Sequence, residues 1–317
     1  VKNLERRLLR AANIVIHDCL AVRKGEKAVV VTDEPCRTVG VALWSALKSI
    51  TDPVLIEIVP RRIHGEEPPA QVAEIIKRSD VFIMPTSRSL THTKARMDAN
   101  KQGARGATMP GITVDMMLRT LHADYTRIAR LTNRVCSLLD KAGHIYVESD
   151  AGTKLELDIN GRRGCPDTGI IRHPGGFSNL PAGEAYIAPI ENRSKGIVVA
   201  DGSFAPIGAL STPVIIELNR GAITGLSRNR KMLAIFNSYS RRERTLCEFG
   251  IGTNYKARIT GDVLEDEKVL GTIHVAFGNN LAFGGKNSAR IHLDAVIRKP
   301  SVWLDDQMIM RKGKFLV

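Results

Sequence analysis

The run Ala28-Val29-Val30-Val31-Thr32-Asp33 is β-branched through its middle and ends in a turn-forming acid, and its reading decides the first half of the chain. Branched side chains pack well on a pleated surface, and a short apolar run bounded by turn formers reads as a buried strand. Apolar residues at helical spacing follow from Thr38 to Ser49, and then comes a second strand-like run, Pro53-Val54-Leu55-Ile56-Glu57-Ile58-Val59. Before the first strand, residues 4–20 place Leu4, Leu8, Leu9, Ala12, Ile14, Val15 and Cys19 at the spacing of one helix face. Beyond the second strand the same rhythm continues: helix over Gln71 to Arg78, strand Val81-Phe82-Ile83-Met84, helix over Thr91 to Gln102, strand Ala107-Thr108-Met109, and helix again over 113–140. Such alternation predicts a parallel sheet with helices on both faces. The turn after the first strand, Val31-Thr32-Asp33-Glu34-Pro35, has no glycine for a pyrophosphate to approach, which argues against dinucleotide binding.

From about residue 144 the texture changes. Segments 144–149, 153–159, 185–188, 197–201, 213–218, 271–277 and 290–297 are short and β-rich, separated by Gly, Pro and Asn, and Met232 to Tyr239 is the best helical stretch. The fold class is therefore α/β: an N-terminal parallel-sheet domain over residues 1–142, then a mixed, largely antiparallel α+β domain over 143–317, with the boundary at Lys141-Ala142-Gly143. No internal repeat and no low-complexity tract interrupts this order.

Bulk properties narrow the function classes. The 317 residues suffice for two cores, and no apolar run approaches the roughly 20 residues of a membrane span. The charged start Val1-Lys2-Asn3-Leu4-Glu5-Arg6-Arg7 does not read as a secretory signal, so a cytoplasmic setting is expected. Cys19, Cys36, Cys136, Cys165 and Cys247 are widely spaced without a CxxC pair, which favours buried free thiols over a zinc ribbon or disulfide framework. The net charge of +13 is spread out, with its densest groups at Arg228-Asn229-Arg230-Lys231 and Arg241-Arg242-Glu243-Arg244, and aromatics are only 5%. That pattern suits a solvated basic surface better than a base-stacking platform, so nucleic acid is not the expected partner.

The residues that carry chemistry lie in the second half. In Ile291-His292-Leu293-Asp294, residues two apart share one strand face, so His292 and Asp294 project together while Ile291 and Leu293 face the core. His274 interrupts the apolar strand Ile273-His274-Val275-Ala276-Phe277. Glu184 follows the turn Leu180-Pro181-Ala182-Gly183, and Glu248 sits in Cys247-Glu248-Phe249-Gly250. Each alone reads as a hydrogen-bonded core or edge residue. Together, two imidazoles and three acids among apolar strands are costly unless a shared cation compensates, which points to a divalent-metal site. Other signals are weaker: Gly284-Gly285-Lys286 is too short for a phosphate loop, Ser87, Ser89 and His92 read as a loop and helix cap, and His173 reads as a surface histidine.

Four of these stretches resemble a known family. Asn179-Leu180-Pro181-Ala182-Gly183-Glu184-Ala185-Tyr186-Ile187-Ala188-Pro189 is similar to an NxPxGE-x-(Y/F)-x-AP signature, and Glu248-Phe249-Gly250-Ile251-Gly252-Thr253-Asn254 to a GE-x-x-(I/L)GTN stretch. His274-Val275-Ala276-Phe277-Gly278 and Ile291-His292-Leu293-Asp294 resemble HxAxG and IHxD elements. These belong to the M29 metallo-aminopeptidases of the aminopeptidase T type, and the order matches over residues 150–297. The resemblance implies a hydrolase with two divalent cations (zinc, cobalt or manganese) held by Glu184, Glu248, His274, His292 and Asp294. It further implies a peptide substrate, Glu184 or Glu248 as the proton shuttle for a metal-activated water, and a homodimer.

Seven residues after His274, where that family carries a tyrosine ligand, this chain has Leu281, which cannot donate to a metal. That departure supports a second expectation: a mononuclear iron(II) dioxygenase that opens hydroxylated pyridine rings on the same scaffold, two histidines and a carboxylate being a donor set suited to iron and oxygen. A metal-stabilised binding protein without activity is the third.

Overall fold

The structure is a computed structural model that describes residues 2–227 and 230–317. Arg228 and Asn229, half of one basic group noted in the sequence, lie outside the described residues. The chain forms two compact units, Val1–Ala129 with Thr168–Ala182, and Arg130–Asp167 with Gly183–Val317.

The first unit is built on a five-stranded sheet in the order Val54–Ile58, Ala28–Asp33, Val81–Met84, Arg105–Thr108, Phe177–Asn179, parallel at every pairing. All six residues of Ala28–Asp33 are buried, as a central parallel strand covered on both faces requires. Val29, Val31, Phe82 and Met84 form one of the unit's cores with Val72 and Ile76 of the Ala70–Lys77 helix and Ala95 and Ala99 of the Lys94–Lys101 helix. The helix expected over Thr91 to Gln102 begins later, because the Thr93 hydroxyl caps it by accepting from the Arg96 amide. The single helix expected over 113–140 is two, Val114–Thr120 and Tyr125–Leu139, and the Asp124 carboxylate accepts from the Arg127 amide at the start of the second. A side chain that caps a helix in this way competes with continuation of the preceding one. Ser87 donates its amide and hydroxyl to Asp33 at 2.7 and 2.6 Å, a loop role that agrees with its sequence reading.

The second unit is antiparallel. An eight-stranded sheet and a seven-stranded sheet contribute to one hydrophobic core, in which Val147, Leu155, Val198 and Ile216 of the first meet Ile187, Phe249, Ile251, Ile273, Val275 and Phe277 of the second. The seven-stranded sheet runs Gly208–Ala209, Ser203–Phe204, His292–Ile297, Ile273–Gly278, Leu246–Gly252, Glu184–Ile187, Cys165–Asp167. Since odd-numbered residues of the 273–278 strand fill the core, its even-numbered ones face the other way. All five cysteines are free, Cys165 half-buried and the rest buried. No helix among the described residues is long and apolar enough to cross a membrane.

Close approach fixes one glycine of the parallel sheet. Gly106 pairs with Phe82, and a Cβ on it would meet the Phe82 ring and carbonyl oxygen, each at 2.4 Å. Gly106→Ala is expected to lower stability by about 2 kcal/mol; an unchanged urea midpoint would show that the strands separate at no cost.

Candidate metal centre

Strand alternation and register assemble the centre. With Ala185, Ile187, Phe249, Ile251, Ile273, Val275, Ala295 and Ile297 in the core, the opposite face of the seven-stranded sheet receives Glu184, Tyr186, Glu248, Gly250, His274, Ala276, His292 and Asp294. Ala276 pairs with Glu248 on one side and Asp294 on the other, so these two carboxylates flank a methyl group. In a neighbouring row Gly250 lies between Tyr186 and His274. A Cβ at Gly250 would sit 2.1 Å from His274 Cε1 and 2.2 Å from its Nε2. The imidazole therefore occupies the space that the glycine leaves.

All five residues expected from the sequence converge. His274 Nε2 is 3.2 Å from Glu248 Oε1 and 3.4 Å from Glu184 Oε2. His292 Nε2 is 3.3 Å from Glu248 Oε2 and 3.5 Å from Asp294 Oδ1. Glu248 thus reaches both imidazoles with its two oxygens. Glu184, Glu248 and His274 form one potential ligand group, Glu248, His292 and Asp294 a second, and Glu267, His274 and Asp294 a third. Four of the five expected donors have side chains no more than 8% exposed, whereas His292 keeps 34% of its side-chain surface open.

The donor chemistry fits a divalent cation. Glu184 Oε2, Asp294 Oδ1 and His274 Nδ1 are buried without a hydrogen-bond partner. The imidazole nitrogens 3.4 and 3.5 Å from the two oxygens form ion-pair contacts too long or misaligned to satisfy them. A metal with donors at about 2.1 Å holds neighbouring donors about 3 to 3.4 Å apart, and the four contacts here span 3.2 to 3.5 Å. His292 Nδ1 lies 3.0 Å from the Asn279 carbonyl oxygen, and this contact assigns the proton to Nδ1 and leaves Nε2 as a donor to metal. The Cys247 thiol, 3.6 Å from the same Nδ1, is pushed up to about 11 by burial and so stays protonated.

Three residues that the sequence did not single out, Lys268, Glu267 and Asp167, add their charges to the centre. Lys268, with 1% side-chain exposure, places its Nζ 2.5 Å from Glu184 Oε1, 2.6 Å from Glu267 Oε1 and 3.5 Å from Asp167 Oδ2. Burial works against the ammonium, but these carboxylates hold its pKa well above the usual lysine range. One ammonium cannot neutralise every acid nearby. Burial pushes the Glu184 carboxyl upward, and the Lys268 charge offsets this only in part, with Asp167 and Glu248 adding repulsion. Glu248 moves the other way: burial would raise it, but hydrogen bonds and charge from His274 and His292 hold it below the carboxylate range.

The comparisons with known proteins bear on what such a centre does. A family model described as 2,5-dihydroxypyridine 5,6-dioxygenase matches residues 11–317. A 2,5-dihydroxypyridine 5,6-dioxygenase of Pseudomonas putida is 24% identical over 200 residues, an alignment spanning 56% of this chain and 55% of that protein's length. Among solved structures, 2,5-dihydroxypyridine dioxygenase from Pseudomonas putida matches with a TM-score of 0.84 at 18% identity, covering 99% of this chain and 98% of the other. AmpT from Thermus thermophilus matches with 0.74 at 17% identity, covering 98% and 99%. At these identities the two likenesses show a common fold.

The aminopeptidase expected from the motifs is corrected by these findings, because the family match and the curated relative both carry the dioxygenase description, while the peptidase likeness is one of fold. Leu281, which stands where the sequence resemblance would place a tyrosine ligand, is 53% exposed and begins the short helical turn Leu281–Phe283.

Two outcomes test the centre. Gly250→Ala should displace the His274 ring and weaken metal binding about 10- to 100-fold with circular dichroism unchanged; equal affinity by metal titration would remove His274 from the centre. Chelation of the metal-loaded protein should lower Tm by about 5 °C or more, as loss of a tightly bound ligand requires, and an unmoved transition would mean that no cation relieves the acids.

Proposed function

The chain belongs to the 2,5-dihydroxypyridine 5,6-dioxygenase family, and on that premise we propose that it is a metal-dependent dioxygenase that opens the ring of a hydroxylated pyridine. The observation that carries the reading is the family match over residues 11–317. The donor chemistry supports it: ferrous oxygenases use imidazole and carboxylate donors, and Glu248 with His292 and Asp294 makes one such group while Glu248 with Glu184 and His274 makes another. Iron(II) in such a set supplies the redox partner that dioxygen needs to react with a closed-shell ring.

The chain's own residues carry the remaining tasks. His292, the open member, marks where a substrate arrives. Glu184 is anchored by Lys268 at Oε1 and unpartnered at Oε2, so in a centre whose single ion is held by Glu248, His292 and Asp294 that oxygen stays available to accept a proton from a ring hydroxyl. Glu248 has one oxygen within 3.2 Å of His274 and the other within 3.3 Å of His292, and this central place suits a holding role. Of the two acids named as shuttles, Glu184 is therefore the better placed.

Protein purified without oxygen and loaded with iron(II) should bind about one iron per chain and consume one dioxygen per 2,5-dihydroxypyridine, with loss of the ring's ultraviolet absorbance. His292→Ala should abolish this uptake with the fold intact. An iron-loaded protein that leaves both oxygen and ring untouched would overturn the assignment.

A further inference from the structure

The loop joining the 273–278 and 292–297 strands presents apolar side chains beside the acidic centre. Leu281 is 53% exposed, Ala282 is exposed and Phe283 is half-buried. An exposed stretch of this kind is ordinarily mobile, yet this one is pinned along its length. Glu191 Oε1 accepts from Asn280 Nδ2 at 3.0 Å and from the Lys286 amide at 2.6 Å. Glu191 Oε2 accepts from Arg162 Nη2 at 2.6 Å, and Arg162 Nη1 donates to the Gly284 carbonyl. The wholly buried Asn280 also accepts from the Asn287 amide at 2.8 Å, and Gly285 packs so closely on it that a Cβ would lie 1.9 Å from Asn280 Cγ.

What this framework holds in place is the Phe283 ring. It meets the His292 imidazole edge to face, with centroids 6.2 Å apart and planes at 83°. On another side it meets Tyr186, at 5.3 Å and 78°. Since His292 is the one expected donor with substantial open surface, a molecule reaching the centre passes the ring that packs on it. An aromatic side chain fixed beside an open metal ligand matches a planar substrate that presents a polar edge to the metal and an apolar face to the protein.

We propose that Phe283, backed by Tyr186 and held by the Glu191 clamp, is the specificity-determining wall against which the substrate's aromatic ring packs. This rests on the ring-opening reading above. The contact is dispersion and burial of a ring face, so it acts on binding of the ring and leaves metal loading alone.

The test uses the full chain loaded with iron(II). Phe283→Leu should raise KM for 2,5-dihydroxypyridine on the order of tenfold while kcat changes less than about twofold, the scale expected from losing one aromatic face. Phe283→Tyr should keep the wild-type KM. Iron content and the spectrum with nitric oxide, a metal-directed probe without a ring, should match wild type in both variants. An unchanged KM in Phe283→Leu, an equal loss in Phe283→Tyr, or loss of iron would each overturn the proposal, the last by making Phe283 a prop for His292. Should wild type bind iron but leave the ring intact, the function reading fails separately, and titration of 2,5-dihydroxypyridine without oxygen decides for Phe283. Weaker binding in Phe283→Leu then upholds the wall, and equal binding removes it.

Discussion

Asp167, Glu184, Glu248, Glu267 and Asp294 gather around a single buried ammonium, that of Lys268, and two imidazoles. Two like charges about 4 Å apart repel by about 4 kcal/mol even at the moderate effective dielectric of a protein near its surface. Lys268 relieves the inner acids, but its hydrogen bonds go to Glu184 and Glu267 and leave Glu248 and Asp294 to the histidines. A surplus of negative charge is therefore built into the second unit. The sheet around it supplies the compensation that packing can give: the apolar side chains go to one face, and small residues such as Gly250 and Ala276 sit among the donors on the other. Protons on Glu184 and Glu267, both pushed upward by burial, or a bound cation supply the rest.

Much of this was legible because period-two alternation is a local property. Ile291-His292-Leu293-Asp294 needs only its own four residues to show that a histidine and an aspartate share a face. His274, Glu184 and Glu248 were visible as polar interruptions of apolar runs. Lys268 was not. It follows Glu265-Asp266-Glu267, a run that reads as a solvated turn, yet Glu265 and Asp266 are fully buried. They are satisfied by main-chain donors brought from elsewhere: Glu265 accepts from the Arg258 amide, and Asp266 from the amides of Thr260 and Gly261. Burial achieved through backbone amides leaves no hydrophobic pattern in the sequence. The strand Phe177–Asn179 was hidden for a related reason, since three residues carry no periodicity and its partner Arg105–Thr108 lies far back in the chain.

Function was less legible than the centre. The motifs around Glu184, Glu248, His274 and His292 describe how a sheet presents donors, and the same presentation serves chemistries as different as hydrolysis and ring opening. The peptidase expectation followed from the donor motifs, and position 281 was the residue that argued against it. What separates the two chemistries is the family match over residues 11–317, not the donors themselves.

That loop has an organisation of its own. Its anchors, Glu191 and Arg162, come from connections outside the donor strands, and they grip Asn280, Gly284 and Lys286 while the side chains at 281–283 remain unencumbered by polar bonds to the donors. Under the proposal for Phe283, side chains at 281–283 could be exchanged to admit a different ring while the strands that carry the donors, and the clamp that carries the loop, keep their places.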